Sequence, residues 1–259
     1  MARQVLALEA RLRACSNVRT IGVRTNFTDY SEDEVRWIRD AGKIYYPTSF
    51  YADLFDAVGK STFPSYHTYK CVQDKIKQTA LFQLANLPHP RTRVFYGKRQ
   101  SAKIKQHFSY PCIAKEPRGS AMGRGVYLIK NDADLKAYTL DRHVTYIQHY
   151  LPIDRDIRVI VIGSNVVHAY WRIARKGEFR TNLAMGGRIS LAPVPDAAIA
   201  LAQRAAKVCG WDDVGMDICC HDGQCTILEA NMKYGREGFR AAGIDYFQIM
   251  ERMIDDGQI

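Results

Sequence analysis

The 259-residue sequence predicts an α+β protein. Strand-like apolar runs and helix-period stretches alternate without a regular βαβ rhythm, which favours α+β architecture over a doubly wound sheet. Toward its end the chain carries a hairpin pattern over residues 215–231. There an apolar strand with Asp217 and a second strand with Glu229 and Asn231 flank a polar turn.

The elements follow in order. Residues 18–24 (VRTIGVR) read as a strand, and Ser31 caps a helix whose first turn is Glu-Asp-Glu. Residues 43–46 read as a short strand ending at Pro47, and a helix follows to about Val58, making a small α/β unit. One long helix is expected from Tyr69 to Ala85. Val72, Ile76, Ala80, Leu81 and Leu84 form its apolar stripe, and it stops before Pro88 and Pro90. Strands are expected at 91–96, 111–115 and 125–129 around a helix near 99–108, then at 144–148, 156–162 and 165–173. Gly163-Ser164-Asn165 turns between the last two. A helix from Ala197 to Cys209, the 215–231 hairpin and a helix from about Asp245 complete the chain, without internal repeats.

No apolar run approaches the roughly 20 residues of a membrane span. The N-terminus lacks the apolar core and cleavage pattern of a secretory signal. Both observations point to a cytoplasmic protein without a membrane partner. Seven cysteines, an odd number without framework spacing, are expected as free thiols. Cys219, Cys220, His221 and Cys225 do not read as a zinc site, because neighbouring strand residues face opposite ways and no CxxC pair exists. The net charge of +10 is uneven: between Pro88 and Lys130 ten Lys or Arg stand against Glu116 alone, a net of +9. Such a region attracts phosphates and acidic substrates. It would equally attract nucleic acid, but no nucleic-acid-binding motif accompanies it.

Two segments carry chemistry. Asp217 and Glu229 are twelve residues apart, a spacing that lets a hairpin set them side by side. Glu229 and Asn231 share a strand face. Two carboxylates and an amide oxygen facing a common point suit a hard divalent cation that keeps water and nucleotide phosphates. Upstream, a strand ends in Lys115, a loop with Gly119, Ser120, Gly123 and Gly125 follows, and another strand begins. Glycines let backbone amides approach phosphate oxygens, and a strand-end lysine neutralises their charge. The loop is not a P-loop, which would need GxxxxGK[ST], nor a dinucleotide fingerprint, which a helix would follow. With Met122 as its one long apolar side chain, the loop is expected to order over bound nucleotide.

Taken together, these segments resemble the ATP-grasp superfamily, and within it the RimK-like branch of ribosomal-protein glutamate ligases and bacterial glutathione synthetases. The family pattern appears in order as Asp74-Lys75, Lys115 with Gly119–Gly125, Gln148–Leu151, Asp156–Arg158, Arg172 with Arg180, Asn182 and Gly186-Gly187, and Asp217 with Glu229 and Asn231. The resemblance covers about Lys70 to Ile254. It implies ATP held between two α+β subdomains, 68–148 with the glycine-rich lid and 149–259 with the metal site, preceded by a short α/β domain over 1–67. Lys75 and Lys115 would contact phosphates, with Gly119, Ser120, Gly123 and Gly125 over them. Gln148, His149, Tyr150 and Leu151 would hold adenine, and Asp156 would lie near the ribose. Asp217, Glu229 and Asn231 would bind two Mg²⁺ ions, or Mn²⁺ in their place. Arg172, Arg180 and Asn182 would face the reacting phosphate and the acyl intermediate.

The implied activity is ATP-dependent ligation of a carboxylate to an amine through an acyl phosphate, on glutamate-like or peptide-borne acids. Alternatives are an ATP-grasp kinase acting on a hydroxyl and a basic nucleic-acid-binding protein without catalysis. The presence of Lys115, Asp217, Glu229 and Asn231 argues against the last. Two departures stand out. His149 replaces the acid usual at the hinge, and Lys233, Arg236 and Arg240 follow Asn231 where small residues and proline are typical. Lys233 and Arg236 are candidates for binding an acidic substrate. The short N-terminal part leaves room for a protein terminus or a second subunit as partner.

Overall fold

A computed structural model describes residues 5–71, 73–120 and 123–259. Val72 of the apolar stripe and Met122 of the glycine loop lie outside the described residues. Four short parallel strands, β1 (Val5–Ala7), β2 (Val18–Thr20), β3 (Lys43–Tyr45) and β4 (Ser61–Phe63), form a sheet ordered β2-β1-β3-β4. This sheet is larger than the small unit read from the sequence, because β1 and β4 are three residues each and too short to show a period. The helix Glu32–Asp40 starts at Ser31 with a reciprocal capping box to Glu34.

The single helix expected over 69–85 is two helices. Tyr66–Lys70 ends, Gln73 takes a φ of 53°, and Lys75–Leu84 starts afresh at Asp74. Asp74 Oδ1 accepts the backbone N–H groups of Ile76 and Lys77, while its Oδ2 accepts from Arg118 in the glycine loop. Four antiparallel strands come next: β5 (Thr92–Tyr96), β6 (Cys112–Lys115), β7 (Val126–Ile129) and β8 (Val144–His149), ordered β5-β8-β6-β7. The helix expected near 99–108 is split into Gly97–Ser101 and Ile104–His107, and a further helix, Asp132–Thr139, precedes β8.

The third sheet has five antiparallel strands, β9 (Arg155–Ile162), β10 (Asn165–Ile173), β11 (Arg188–Ser190), β12 (Asp213–His221) and β13 (Gln224–Asn231), ordered β11-β10-β9-β12-β13. Alternation along β9 sorts its side chains. Ile157, Val159 and Val161 pack with Ala198, Ala202 and Ala205 of the helix Asp196–Cys209, beside Phe82 and Trp211. Ile160 and Ile162 face the other way, against Met250 and Met253 of the helix Tyr246–Asp255 and Ala7 and Tyr45 of the parallel sheet. Asp156 and Arg158 share that second face nearer the strand start. One face of β9 therefore runs from apolar to polar, and its polar end becomes the floor of a cleft.

At the tip of the β12–β13 hairpin, Asp222 and Gly223 both have positive φ, 49° and 75°. This two-residue turn sets Cys220 opposite Cys225, and a disulfide joins them. The expectation of seven free thiols is corrected here: hairpin register pairs two cysteines, and the other five are free and buried. Among the described residues no helix is long and apolar enough to cross a membrane.

Candidate active site

A cavity of 560 Å³ lies between the two antiparallel sheets, walled by residues of β6, β7, β8, β9, β12 and β13. The hairpin register explains its most acidic corner. Counted from the two-residue turn, Asp217 would face Leu228. Leu228 is instead an extra, bulged residue, so Asp217 faces Glu229 and Gly215 faces Asn231. Across the sheet, Arg158 faces Asp217 and Asp156 faces Arg172. Gly215 has no room for a side chain: a Cβ would lie 2.9 Å from Tyr234 Cβ and 3.1 Å from Arg158 Cδ.

These residues form one buried ionic network. Arg158 Nε donates to Asp217 Oδ1. Arg172 grips Asp156 with two hydrogen bonds and also lies 2.9 Å from Asp217 Oδ2. Thr181 Oγ1 donates to Asp156 Oδ2 at 2.7 Å, and Asn231 Nδ2 to Asp217 Oδ2 at 3.2 Å. Burial works against both charges, yet Arg158 and Arg172 hold Asp217 below the usual carboxylate range, and Asp156 with Asp217 raises Arg172 above its ordinary value. Asp156 thus has both oxygens committed to Arg172 and Thr181, and Arg172 is held by two carboxylates.

The two lysines converge on the same corner. Lys75 is buried, with Nζ 3.2 Å from Glu229 Oε1 and 3.3 Å from Ser120 Oγ. The helix break before Asp74 is what turns it inward. Lys115 is also buried, and burial pushes its ammonium below the ordinary lysine value; Lys75 adds to that while Glu229 opposes it. The glycine loop reaches the opposite wall. Gly123 has a φ of 76°, and a Cβ there would lie 2.7 Å from Asn182 Oδ1. Arg180 Nη1 approaches Gly123 O at 3.4 Å. Arg180 is itself paired with Glu178, whose carboxyl its hydrogen bonds pull down to about 2. Gly119 N–H donates to Gln73 O, and Gly125 O accepts from Glu116, so both shape the ends of the loop.

Residues 72–255 match the RimK-like ATP-grasp domain. The chain belongs to the RimK-like ATP-grasp family. It is 31% identical over 196 residues to a probable alpha-L-glutamate ligase of Haemophilus influenzae, covering 72% of this chain and 65% of that protein. It is 29% identical over 192 residues to the ribosomal protein bS6–L-glutamate ligase of Escherichia fergusonii, covering 71% and 63%. The chain thus spans just under two thirds of the length of these relatives. A RimK domain ATP-grasp protein from Sphaerobacter thermophilus superposes with a TM-score of 0.70 at 16% identity, covering 97% of this chain and 99% of that one. The ATP-grasp ligase PsnB, solved with precursor peptide PsnA2 and AMPPNP, gives a TM-score of 0.73 at 19% identity, covering 100% and 99%. The fold is the ATP-grasp fold, of α+β class.

Gln148, His149, Tyr150 and Leu151, the segment expected to hold adenine, all line the cavity. Gln148 is buried and donates to Thr92 Oγ1 at 3.0 Å, and His149 N–H donates to Arg91 O at 2.8 Å. Tyr150 and Leu151 line the cavity beyond them. Several apolar wall residues were not legible as site residues, among them Ile113, Val126 and Leu228. Ile113 lies two residues before Lys115 on the same face of β6, a strand-period signal that could have found it. In the acidic corner Asp217 is engaged through Oδ1 by Arg158 and through Oδ2 by Arg172 and Asn231, and Glu229 Oε1 by Lys75. Among the described residues no three His, Cys, Asp or Glu gather as a closed cage. Asp217, Glu229 and Asn231 nonetheless fit Mg²⁺, which takes one or two carboxylates and completes its shell with phosphate and water oxygens. The wall carries seven cations (Lys75, Lys115, Arg124, Arg158, Arg172, Arg180, Lys233) against four acids, which favours a polyanion. Only Lys115 and Arg124 of the +9 segment are among them; Lys105 pairs with Asp132, and Arg91 lies over Phe108. Arg236 stacks on Phe247 and lines a smaller adjoining cavity, with Lys233 shared between the two.

Proposed function

We propose that the chain is an ATP- and Mg²⁺-dependent carboxylate–amine ligase working through an acyl phosphate. One observation carries this reading: Lys75 and Lys115 lie with Asp217, Glu229 and Asn231 in one cavity that apolar side chains also line. Cations for a triphosphate and oxygens for a metal share one corner, while Ile113, Val126 and Leu228 suit a base. Asp217, Glu229 and Asn231 would hold Mg²⁺, which supplies charge neutralisation for the transferring phosphoryl group. Lys115 orients the phosphates. Lys75 exchanges Glu229 for a phosphate oxygen. Arg172, gripped by Asp156, keeps Asp217 ionised and aimed. Arg180 and Asn182, in reach of Gly123, close the lid over the reacting end and exclude water.

The acid's carboxylate oxygen attacks the γ-phosphorus and ADP leaves. The amine nitrogen then attacks the acyl carbon, loses its proton, and inorganic phosphate leaves. Little covalent work falls to the protein, so positioning and electrostatics dominate. In this reading residues 1–67 precede a catalytic unit of 68–259. The names of the relatives, alpha-L-glutamate ligase among them, and the peptide bound to PsnB support a glutamate-like or peptide-borne substrate. The test is ADP release over pairs of amino acids and peptides, with hydroxylamine present. Acid-dependent hydroxamate is expected. ADP release with a phosphorylated alcohol and no hydroxamate would overturn the ligase in favour of a kinase.

A further inference from the structure

A second cavity of 210 Å³ adjoins the nucleotide cleft, with Lys233 in both walls. Its other charged residues are Arg11, Arg236 and Glu9, and Glu9 is neutralised by Lys233 at 3.2 Å. Two guanidinium groups remain, Arg11 beside the buried Asp213 and Arg236 without a carboxylate partner among the described residues. Arg236 lies 4.7 Å above the Phe247 ring, and among the described residues no carboxylate forms an ion pair with it. Arg11 is stranger. Its guanidinium is enclosed by Tyr234, Tyr246 and Tyr46, with ring centroids 4.7, 5.4 and 5.6 Å away.

Its Nε donates to Tyr246 Oη and lies 3.9 Å from Asp213. Asp213 in turn is taken up by the Tyr46 and Tyr234 hydroxyls. Arg11 Nη2 is buried without a hydrogen-bond partner. A buried guanidinium nitrogen left unpaired costs free energy, so such groups are normally satisfied. Other parts of the Arg11 side chain, which is about one-fifth exposed, line the cavity and present its positive charge there.

We propose that this second cavity is a subsite for a substrate carboxylate that does not itself react, held by Arg11 and Arg236. The cavity has room for a group of amino-acid size and none for a nucleotide. Guanidinium forks match carboxylates bidentately. Lys233 lines both cavities, so a molecule spanning them would place its anionic end here and its reacting group beside Asp217 and Glu229. This deepens the ligase reading and rests on it only for what happens at the other end. Arg11 and Tyr46 precede residue 72, where the family match begins. Selectivity for the substrate would therefore be set by the N-terminal part of the chain, outside the ATP-grasp motif.

The test is calorimetric binding of three probes, with and without AMPPNP and Mg²⁺. They are L-glutamate, its diamide L-glutamine amide, which keeps the amine but has no carboxylate, and N-acetyl-L-glutamate, whose amine is blocked. L-glutamate should bind at least about tenfold more tightly than the diamide, the scale of one charged contact. Arg236→Gln, at an exposed position, should weaken L-glutamate at least about tenfold while AMPPNP affinity and the melting temperature stay the same. Arg11→Lys, which keeps charge but loses the fork, should weaken it as well. Binding of N-acetyl-L-glutamate would assign the carboxylate to the acid substrate; binding only with a free amine would assign it to the amine substrate. No L-glutamate binding, equal binding of the diamide, or unchanged affinity in both variants overturns the subsite. Failure of AMPPNP alone to bind overturns the ligase reading and leaves the subsite standing.

Discussion

Lys75 Nζ lies 3.2 Å from Glu229 Oε1, joining the start of the helix Lys75–Leu84 to the second strand of the acidic hairpin. Both residues belong to the chemistry proposed here, one for phosphate and one for metal. Each partner thus supplies the other's counter-charge. Lys75 is buried and Glu229 partly open to water, so losing the carboxylate leaves an ammonium that Ser120 only partly satisfies.

Glu229→Gln should therefore do two things. Mg²⁺-dependent ATP turnover should fall about a hundredfold or more, as when a preorganised electrostatic group is removed. Stability should fall by about 1–3 kcal/mol, because Lys75 loses its counter-charge. Lys75→Met with Glu229→Gln should recover melting temperature without recovering turnover. Turnover unchanged in Glu229→Gln would remove the metal assignment.

Asp217 is a poorer probe of metal binding than Glu229. Arg158, Arg172 and Asn231 all contact it, and it is buried. Asp217→Asn should destabilise by about 3–5 kcal/mol, the cost of breaking a buried ionic network from one side. The folded-state carboxyl is held below its ordinary value. Its contribution is thus complete above the unfolded carboxylate range, about 3.9, and is lost as pH falls through the folded value. Urea titrations should show the gap between wild type and variant narrowing in acid. A gap that stays constant down to strongly acidic pH would contradict this.

Lys115 gives a signal independent of activity. Its folded-state value is depressed by burial, so the unfolded chain binds more protons, and stability rises with pH between that value and about 10.4. A bound triphosphate adds negative charge beside the ammonium and raises its value again. AMPPNP binding in the alkaline range should then take up protons, measurable as heat that varies with buffer ionisation enthalpy. Lys115→Met should abolish the uptake and weaken binding about tenfold or more. Equal uptake in the variant would sever Lys115 from the nucleotide.

Much of this site was legible before its structure, for a physical reason. Side chains that share a strand face declare themselves by spacing, as Glu229 and Asn231 do. Asp217 met Glu229 as expected, but through the Leu228 bulge, which no residue pattern announces. The Asp156–Arg172 grip escaped notice because it depends on register between β9 and β10, which an irregularity between Val166 and His168 shifts by one residue from the register that the turn at Gly163 implies. Cys220 and Cys225 pair in the register that their own turn sets. Gln73 hid a helix break because a positive φ at a non-glycine residue has no strong sequence signal. Arg11 was invisible: its place beside Tyr234 and Tyr246 follows from tertiary packing alone.

Leu228 offers the sharpest separation of base from phosphate recognition. The bulge that aligns Glu229 with Asp217 also lets the adjacent Leu228 face the cavity, so two consecutive residues serve one site. Ile113 and Val126 come from the four-stranded sheet and Leu228 from the five-stranded one. A base lying between them is covered on both faces, and the leucine side supplies apolar contact of about 1–2 kcal/mol. Leu228→Ala should then weaken ATP about 5- to 30-fold. Lys75, Lys115 and Glu229, the residues proposed above for phosphate and metal, are not touched by the substitution. Inhibition by inorganic tripolyphosphate, which has no base, should therefore be unchanged. Were tripolyphosphate to weaken in step with ATP, Leu228 would be acting on the hairpin and its metal corner, and the base would have to lie elsewhere.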